Sequence, residues 1–188
     1  MPLGTLTWQP AVDHLDLLAD PTAAVVTAWA ATDPDVAARL MVTAIDPELA
    51  DTAALTEAYD LPLSGSGNCV LVAGRREGQE RIAAAVVRAT TRADVNNAVK
   101  RLLDVRKASF LPMDRAVTES GMEYGGITPV GLPPEYRVLI DSRVVAANPE
   151  TDGLVIIGSG LRRSKLALPG ELLARLPGAE VIDGLAIG

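Results

Sequence analysis

Short apolar runs separated by turn formers dominate the chain from Asn68 onward, whereas the preceding residues carry apolar positions at helical spacing. Residues 69–73 (CVLVA) and 81–89 (RIAAAVVRA) are strand-length apolar segments joined by the polar, Gly-containing stretch 74–80, which predicts an antiparallel hairpin. Thr91-Arg92-Ala93-Asp94 sets a cap hydroxyl three residues ahead of an acid. It predicts a helix to about Leu103 with Val95, Ala98, Val99, Leu102 and Leu103 facing inward. Residues 107–111 read as a strand and 114–119 as a short helix; 137–141 (RVLID) and 153–158 (GLVIIG) are further strands. Residues 166–168 extend briefly, Pro169 opens a helix through Leu176, and 179–182 form a last strand.

Upstream, Asp20-Pro21 opens an Ala/Val-rich helix over 23–31 with Trp29 as a core anchor, and Trp8 packs near the terminus. Residues 35–45 read as a helix running into a strand. Asp51 or Thr52 caps a short helix with Ala54, Leu55 and Ala58 inward, ending before Leu61-Pro62. Ser64-Gly65-Ser66-Gly67 is a flexible connection into the first strand of the hairpin. Strands outnumber helices and their connections are short, so the pattern favours an α/β fold with a mixed, largely antiparallel sheet and flanking helices over a doubly wound one. A length of 188 residues fits one domain, 1–188, with a core at about 51–182 and an N-terminal extension, 1–50, to which the pattern gives no role.

Composition narrows the chemistry. Hydrophobic residues make up 48% of the chain but aromatics only 3%, so the core is aliphatic and a base-stacking platform is not expected. A net charge of −7 argues against broad duplex DNA binding, which needs many phosphate contacts, and leaves room only for a local basic patch. One cysteine, Cys69, and one histidine, His14, cannot build a disulfide framework or an ordinary zinc site within one chain. No apolar run approaches the roughly 18 residues of a membrane span, and no basic, apolar and cleavage-site series follows Met1. The expectation is a cytoplasmic protein without cofactor or metal.

The densest cluster of structure-setting residues is 120–131 (SGMEYGGITPVG), four glycines and a proline between regular segments. Gly125-Gly126 permits positive φ at successive positions, and Pro129 fixes its own φ while pushing Thr128 toward extended geometry. Such a loop holds one shape and turns backbone groups toward a cavity. A second cluster, Gly158-Ser159-Gly160, follows a strand but has Arg163 where a dinucleotide fingerprint needs its third glycine. Beside Arg162, Arg163 and Lys165 it reads instead either as an N–H-lined anion pocket or as a solvated turn. A Ser-His-Asp triad would have to recruit His14, and no serine sits in a G-x-S-x-G turn; Cys69 has only His14 as a base. Asp13, Asp16 and Asp20 have no metal-site spacing.

The sequence Gly-Gly-Ile-Thr-Pro-Val-Gly at 125–131, then Leu-Ile-Asp at 139–141 and Gly-Ser-Gly at 158–160, resembles the YbaK/EbsC family, the prolyl-tRNA synthetase-associated editing domain. The likeness covers about 68–182 and more loosely 51–62. It implies a central mixed, partly barrel-like sheet and trans-editing: hydrolysis of the ester joining a wrong amino acid to a tRNA, often the proline tRNA. The family's Gly-x-x-x-Pro motif falls on Gly125 to Pro129, whose backbone orients the aminoacyl group and a water or lets a substrate thiol attack its own ester. An activated ester needs little more than positioning and electrostatic help.

On that likeness, Gly125, Gly126, Thr128, Pro129, Asn68 and Lys165 form the catalytic set. Met122, Tyr124, Ser159, Gly160, Arg162 and Asp141 contact the acyl group, the terminal adenosine and its phosphates, the alternatives being core packing for Met122 and the capping of a turn for Asp141. The implied partner is a tRNA acceptor end, with a synthetase or elongation factor supplying further affinity. One position departs from the family: Asn68 stands where a lysine is common, while Lys165 follows the Gly-Ser-Gly turn where relatives often carry an acid. The expectation is that the cation has moved to Lys165 and faces the same pocket from a neighbouring strand. The competing reading is a non-catalytic module that binds an aminoacyl-nucleotide-like ligand.

Overall fold

The computed structural model describes residues 3–188. In chain order it runs β1 (Gln9–Pro10), α1 (Asp20–Thr32), α2 (Pro34–Arg39), β2 (Met41–Ala44), α3 (Thr52–Ala58), β3 (Gly67–Arg76), β4 (Gln79–Arg88), β5 (Arg92–Ala93), α4 (Lys100–Leu103), β6 (Ala108–Phe110), α5 (Met113–Ser120), β7 (Arg137–Asp141), α6 (Ser142–Val145), β8 (Leu154–Gly158), β9 (Ser164–Pro169), α7 (Gly170–Leu173), β10 (Ala179–Ile182) and β11 (Ala186–Ile187). A five-stranded mixed sheet has the order β10-β7-β4-β3-β6, and a four-stranded antiparallel sheet the order β1-β2-β9-β8. A parallel bridge between Ser66 and Ile156 joins the start of β3 to β8, and among the described residues the strands do not close into a barrel.

The β3–β4 hairpin forms as its pattern requires, paired from Gly67↔Arg88 to Arg76↔Gln79. Its two-residue turn, Glu77 and Gly78, has positive φ at both positions, the geometry that follows the twist of the strands. Residues 1–50 are more than an appendage: β2 pairs with β9 from Met41↔Ala167 to Ala44↔Ser164, and Val26 and Trp29 of α1 enter the same core cluster as β8 and β9. Trp8 packs against the Leu3–Leu6 side and donates its indole N–H to the Leu3 carbonyl at 3.0 Å.

Two predicted elements change. The helix expected from Thr91 begins later, because Arg92–Ala93 is drawn into a strand against the C-terminal β11. Asp94 is the cap, its carboxylate accepting from the Asn97 N–H at 3.2 Å, and the first turn over Val95–Val99 is a π-helix before α4 continues it. The helix expected over 169–176 shrinks to α7, since β9 runs through Pro169 between two partners. Of the inward positions assigned to α3, Leu55 is buried but Ala54 is half-buried and Ala58 exposed.

Candidate active site

The glycine-rich loop is zipped to the turn after β8. Gly160 N–H donates to the Gly126 carbonyl at 2.7 Å, Glu123 N–H to the Gly160 carbonyl at 2.8 Å, and the Glu123 carboxylate accepts from the Arg162 N–H at 2.7 Å. The glycines serve different ends here. Gly125 has φ of +78°, whereas Gly126 is needed for close approach: a Cβ on it would lie 2.6 Å from the Leu161 carbonyl carbon. Of the two positions that the sequence leaves free for positive φ, only Gly125 uses it; Gly121 and Gly131 at the ends of the loop also have positive φ. Thr22 of α1 donates to the Val130 carbonyl at 2.9 Å and fixes the far end of the loop.

Lys165 is the buried cation beside this loop. It occupies β9, flanked by Thr43 on β2 and Gly158 on β8, and is only 7% exposed. Its ammonium donates to the Ala50 carbonyl at 2.9 Å and reaches the Gly125 carbonyl at 3.4 Å. Burial pushes its pKa down to about 8; the Asp51 carboxylate works against that shift and the Arg162 charge adds to it. A solvated strand-edge lysine would show none of this.

A cavity of about 420 Å³ opens beside it, walled by Lys165, Asn68, Tyr124, Gly125, Ile127 and Gly158 and by the apolar Leu55 and Ile156. Thr52 Oγ1 donates to Asn68 Oδ1 at 2.8 Å, which fixes the amide so that its NH₂ is the end left free. The backbone N–H groups of Gly125 and Ile127 have no acceptor among the described residues. The wall therefore offers a cation and an amide NH₂, with two N–H groups of lining residues that have no internal acceptor, a set that suits the oxygens of an ester or a ribose.

The structure thus brings Asn68, Lys165, Gly125 and Tyr124 to one cavity and puts the other sequence-derived candidates behind it. Gly126 is the contact surface between loop and turn. Thr128 and Pro129 are buried, and the Thr128 hydroxyl accepts from the Val130 N–H at 3.5 Å. Met122 is a core residue whose sulfur receives the Thr128 N–H. Ser159 is fully buried and spent on Ser164 and Leu161, and Gly160 packs on Ala19 of the chain leading into α1. Arg162 stacks over the Tyr124 ring and donates to the Tyr124 and Pro47 carbonyls at 3.1 Å each, clasping the loop to the segment before α3. Arg163 turns to the Asp16 carbonyl, to which it donates at 2.8 Å. Asp141 lies apart from the cavity: it caps α6, pairs with Arg143 at 2.9 Å and accepts the Ala186 N–H at 2.8 Å. Burial works to raise its pKa, and the Arg143 guanidinium with the two N–H donors outweighs it, leaving a carboxylate below its usual range.

Pattern reading missed Thr52, Ser66, Cys69, Ile127 and Ile156 as wall residues. The signal for Ser66 was its spacing of two from Asn68, which puts both on one face of an extended chain. Burial drives the Cys69 thiol up to about 12, so at pH 8 only about 10⁻⁴ of it is thiolate. Native protein should react with a disulfide reagent at least 100-fold more slowly than unfolded protein; equal rates would contradict the raised pKa of this half-buried thiol. Among the described residues no cluster of three or more His, Cys, Asp or Glu could hold a metal, and no helix is long and apolar enough to cross a membrane.

Comparison with solved structures gives the fold. A candidate trans-editing enzyme for prolyl-tRNA synthetase superposes with a TM-score of 0.69 at 19% identity, covering 90% of this chain and 99% of that one. The hypothetical protein APE2540 superposes at 0.70 and 19%, covering 86% and 99%. A weaker likeness, 0.55 at 15%, covers 31% of a longer candidate signal transduction protein from Marinobacter aquaeolei VT8. No curated protein matches the sequence. The sequence profile of the aminoacyl-tRNA editing domain matches residues 46–176, a span that includes α3, the β3–β4 hairpin, the glycine-rich loop and Lys165. With most of its length inside that profile and every element of the cavity wall within it, the chain belongs to the aminoacyl-tRNA editing domain family.

Proposed function

We propose that this protein is a trans-acting deacylase that hydrolyses the ester of a mischarged aminoacyl-tRNA, the proline tRNA being the first to test. The observation that carries the reading is the buried Lys165 ammonium beside the Gly125 carbonyl, in the cavity where Asn68 stands. The family membership and the trans-editing description of a structural neighbour point the same way.

In this reading the ester carbonyl oxygen lies toward the Gly125 and Ile127 N–H groups and Lys165, where negative charge develops as water adds. Water attack breaks the acyl–oxygen bond and yields the free amino acid and the ribose hydroxyl of the tRNA. Asn68 donates its NH₂ to a ribose oxygen, a role that needs no charge once Lys165 supplies it. The exposed Tyr124 at the cavity wall is positioned to stack on the terminal adenine. In this reading Arg162, Gly160, Gly126, Thr128, Pro129 and Met122 act through the loop they form or hold, Ser159 through the turn to which that loop is zipped, and Asp141 through the fold. A net charge of −7 restricts the grip to the acceptor end, so a synthetase or elongation factor in the cytoplasm supplies the remaining affinity.

The experiment is deacylation of a panel of mischarged tRNAs by the purified protein, against the spontaneous rate. Loss of ester well above that rate on at least one acyl-tRNA is expected. No acceleration on any member would remove the enzyme reading and leave the binding module that the neutral Asn68 would suit.

A further inference from the structure

Positive charge is segregated in this acidic chain. Residues 75–115 hold ten of the seventeen Lys and Arg side chains but five of the twenty-four Asp and Glu, an excess of five positive charges in a chain whose net charge is −7. Part of that excess lies at the edge strand β6, which pairs with β3 on one side only. Arg106 and Lys107 lead into β6, both exposed and, among the described residues, in no ion pair. A groove of about 390 Å³ lies between β6 and the β3–β4 hairpin, with Arg75, Lys107 and Arg115 set against the carboxylate of Glu80, which Arg115 already holds at 2.8 and 3.0 Å. The groove adjoins the cavity, since Pro112 lines the one and its neighbour Met113 the other. Two aromatic rings mark the passage: Phe110 in the groove is 61% exposed and Tyr124 in the cavity wall 54%. Val72, the β3 partner of Phe110, lies about 13 Å along the strand from Asn68. The segment leading into α3, which reaches the cavity through Ala50 and Asp51, instead exposes Asp46, Glu48 and Asp51 and repels phosphate.

We propose that this groove carries the unpaired 3′ end of the tRNA away from the cavity, with one base stacked on Phe110 and the phosphates against Arg75, Arg106 and Lys107. This rests on the deacylase reading for the identity of the ligand. An aromatic face beside a basic track holds a single strand whatever its bases, through stacking and charge together. The chain has few aromatic residues, and its two exposed rings stand on this one line. An acidic peptide added to the free edge of β6 would meet the same charges. The continuity of groove and cavity favours RNA, because a strand whose terminal ester lies beside Lys165 must leave the cavity by an exit that accepts its phosphates.

The test uses a 5′-labelled hairpin RNA copying a tRNA acceptor stem, not aminoacylated, with and without its unpaired 3′ nucleotides. Binding to the full-length protein is read by fluorescence anisotropy over a range of salt. Phe110→Ala is expected to weaken binding of the overhanging RNA about tenfold and to leave the blunt hairpin unaffected, and Phe110→Tyr to bind as wild type. Arg106→Ala combined with Lys107→Ala should flatten the slope of log K against log salt by about 1.4, the value for two contacts to a single strand. Arg39→Ala combined with Arg175→Ala, which removes the same charge elsewhere, should leave that slope unchanged. These side chains are exposed, so melting temperatures should hold; if Phe110→Ala does not fold, Phe110→Leu keeps the apolar bulk without the ring and serves with the same expected loss. In deacylation the groove variants should raise KM and keep kcat. No binding by wild type at low salt, equal binding of overhanging and blunt RNA, or groove variants that bind as wild type does would overturn the proposal. Overhang-dependent binding lost in the variants, without ester loss on any acyl-tRNA, would uphold the groove and overturn the deacylase reading. Ester loss with KM unchanged in the variants would do the reverse.

Discussion

Lys165→Met should deacylate a responsive acyl-tRNA at least about 100-fold more slowly than wild type, the scale of loss when an oxyanion-stabilising donor is removed from a dry site. Methionine keeps the apolar stem and removes only the buried charge, so the melting temperature at neutral pH should hold or rise. Activity lost with stability kept separates a chemical role from a structural one; unchanged activity would end the idea that Lys165 is the cation of the site. The pH dependence gives an independent check. With a folded pKa of about 8, the ammonium is lost as pH climbs through that value, so the enzymatic rate divided by the spontaneous rate should fall above about pH 8. A lysine acting as a neutral base would give the opposite slope.

The same group must leave a mark on stability. Its folded pKa lies below the ordinary 10.5 of an unfolded lysine, so between about pH 8 and 10.5 the unfolded chain binds more protons than the folded one. The Lys165 contribution to stability therefore rises with pH across that window, and the cost of burying the ammonium is felt in full below it. Lys165→Met should abolish that rise.

Gly158→Ala should damage both fold and site. Its added Cβ would lie 2.4 Å from the Gly126 carbonyl oxygen and 2.6 Å from that of Ile127, backbone atoms of the loop that walls the cavity. The loop must move or the fold must strain, at about 3 kcal/mol, which for a chain of this size lowers the melting temperature by about 6–12 °C. Deacylation should fall by more than the lost folded fraction explains, because the Gly125 carbonyl shifts off Lys165. Calorimetry and the acyl-tRNA assay at 25 °C read both effects; a variant with wild-type stability and rate would show that the tight seam between turn and loop is not needed.

Much of this architecture was legible in the chain because its cues are local. The hairpin follows from two apolar runs around a polar turn, and the loop at 120–131 announces itself by glycines and a proline. Lys165 facing the pocket of Asn68 was likewise expected, and both residues line one cavity. What was hidden depends on contacts distant in sequence. That Arg92–Ala93 would be a strand is decided by Ala186–Ile187, more than ninety residues on. That Ser159 is spent within its own turn and Arg162 clasps the loop follows from partners at Ser164, Tyr124 and Pro47, which no spacing rule relates. Gly126 and Gly158 carry no mark of which neighbour demands them; the demand comes from a backbone some thirty residues away.

The parallel bridge between Ser66 and Ile156 has a mechanical meaning. Both bridge residues line the cavity, with Asn68 contributed by one sheet and Lys165 by the other. Whatever fills that space touches both sheets at the joint where backbone pairing between them is thinnest. A ligand here acts as a rivet: by binding only the folded chain it stabilises the fold by mass action, through contacts with both sheets. The unliganded chain should breathe first along that line, which is also the way in.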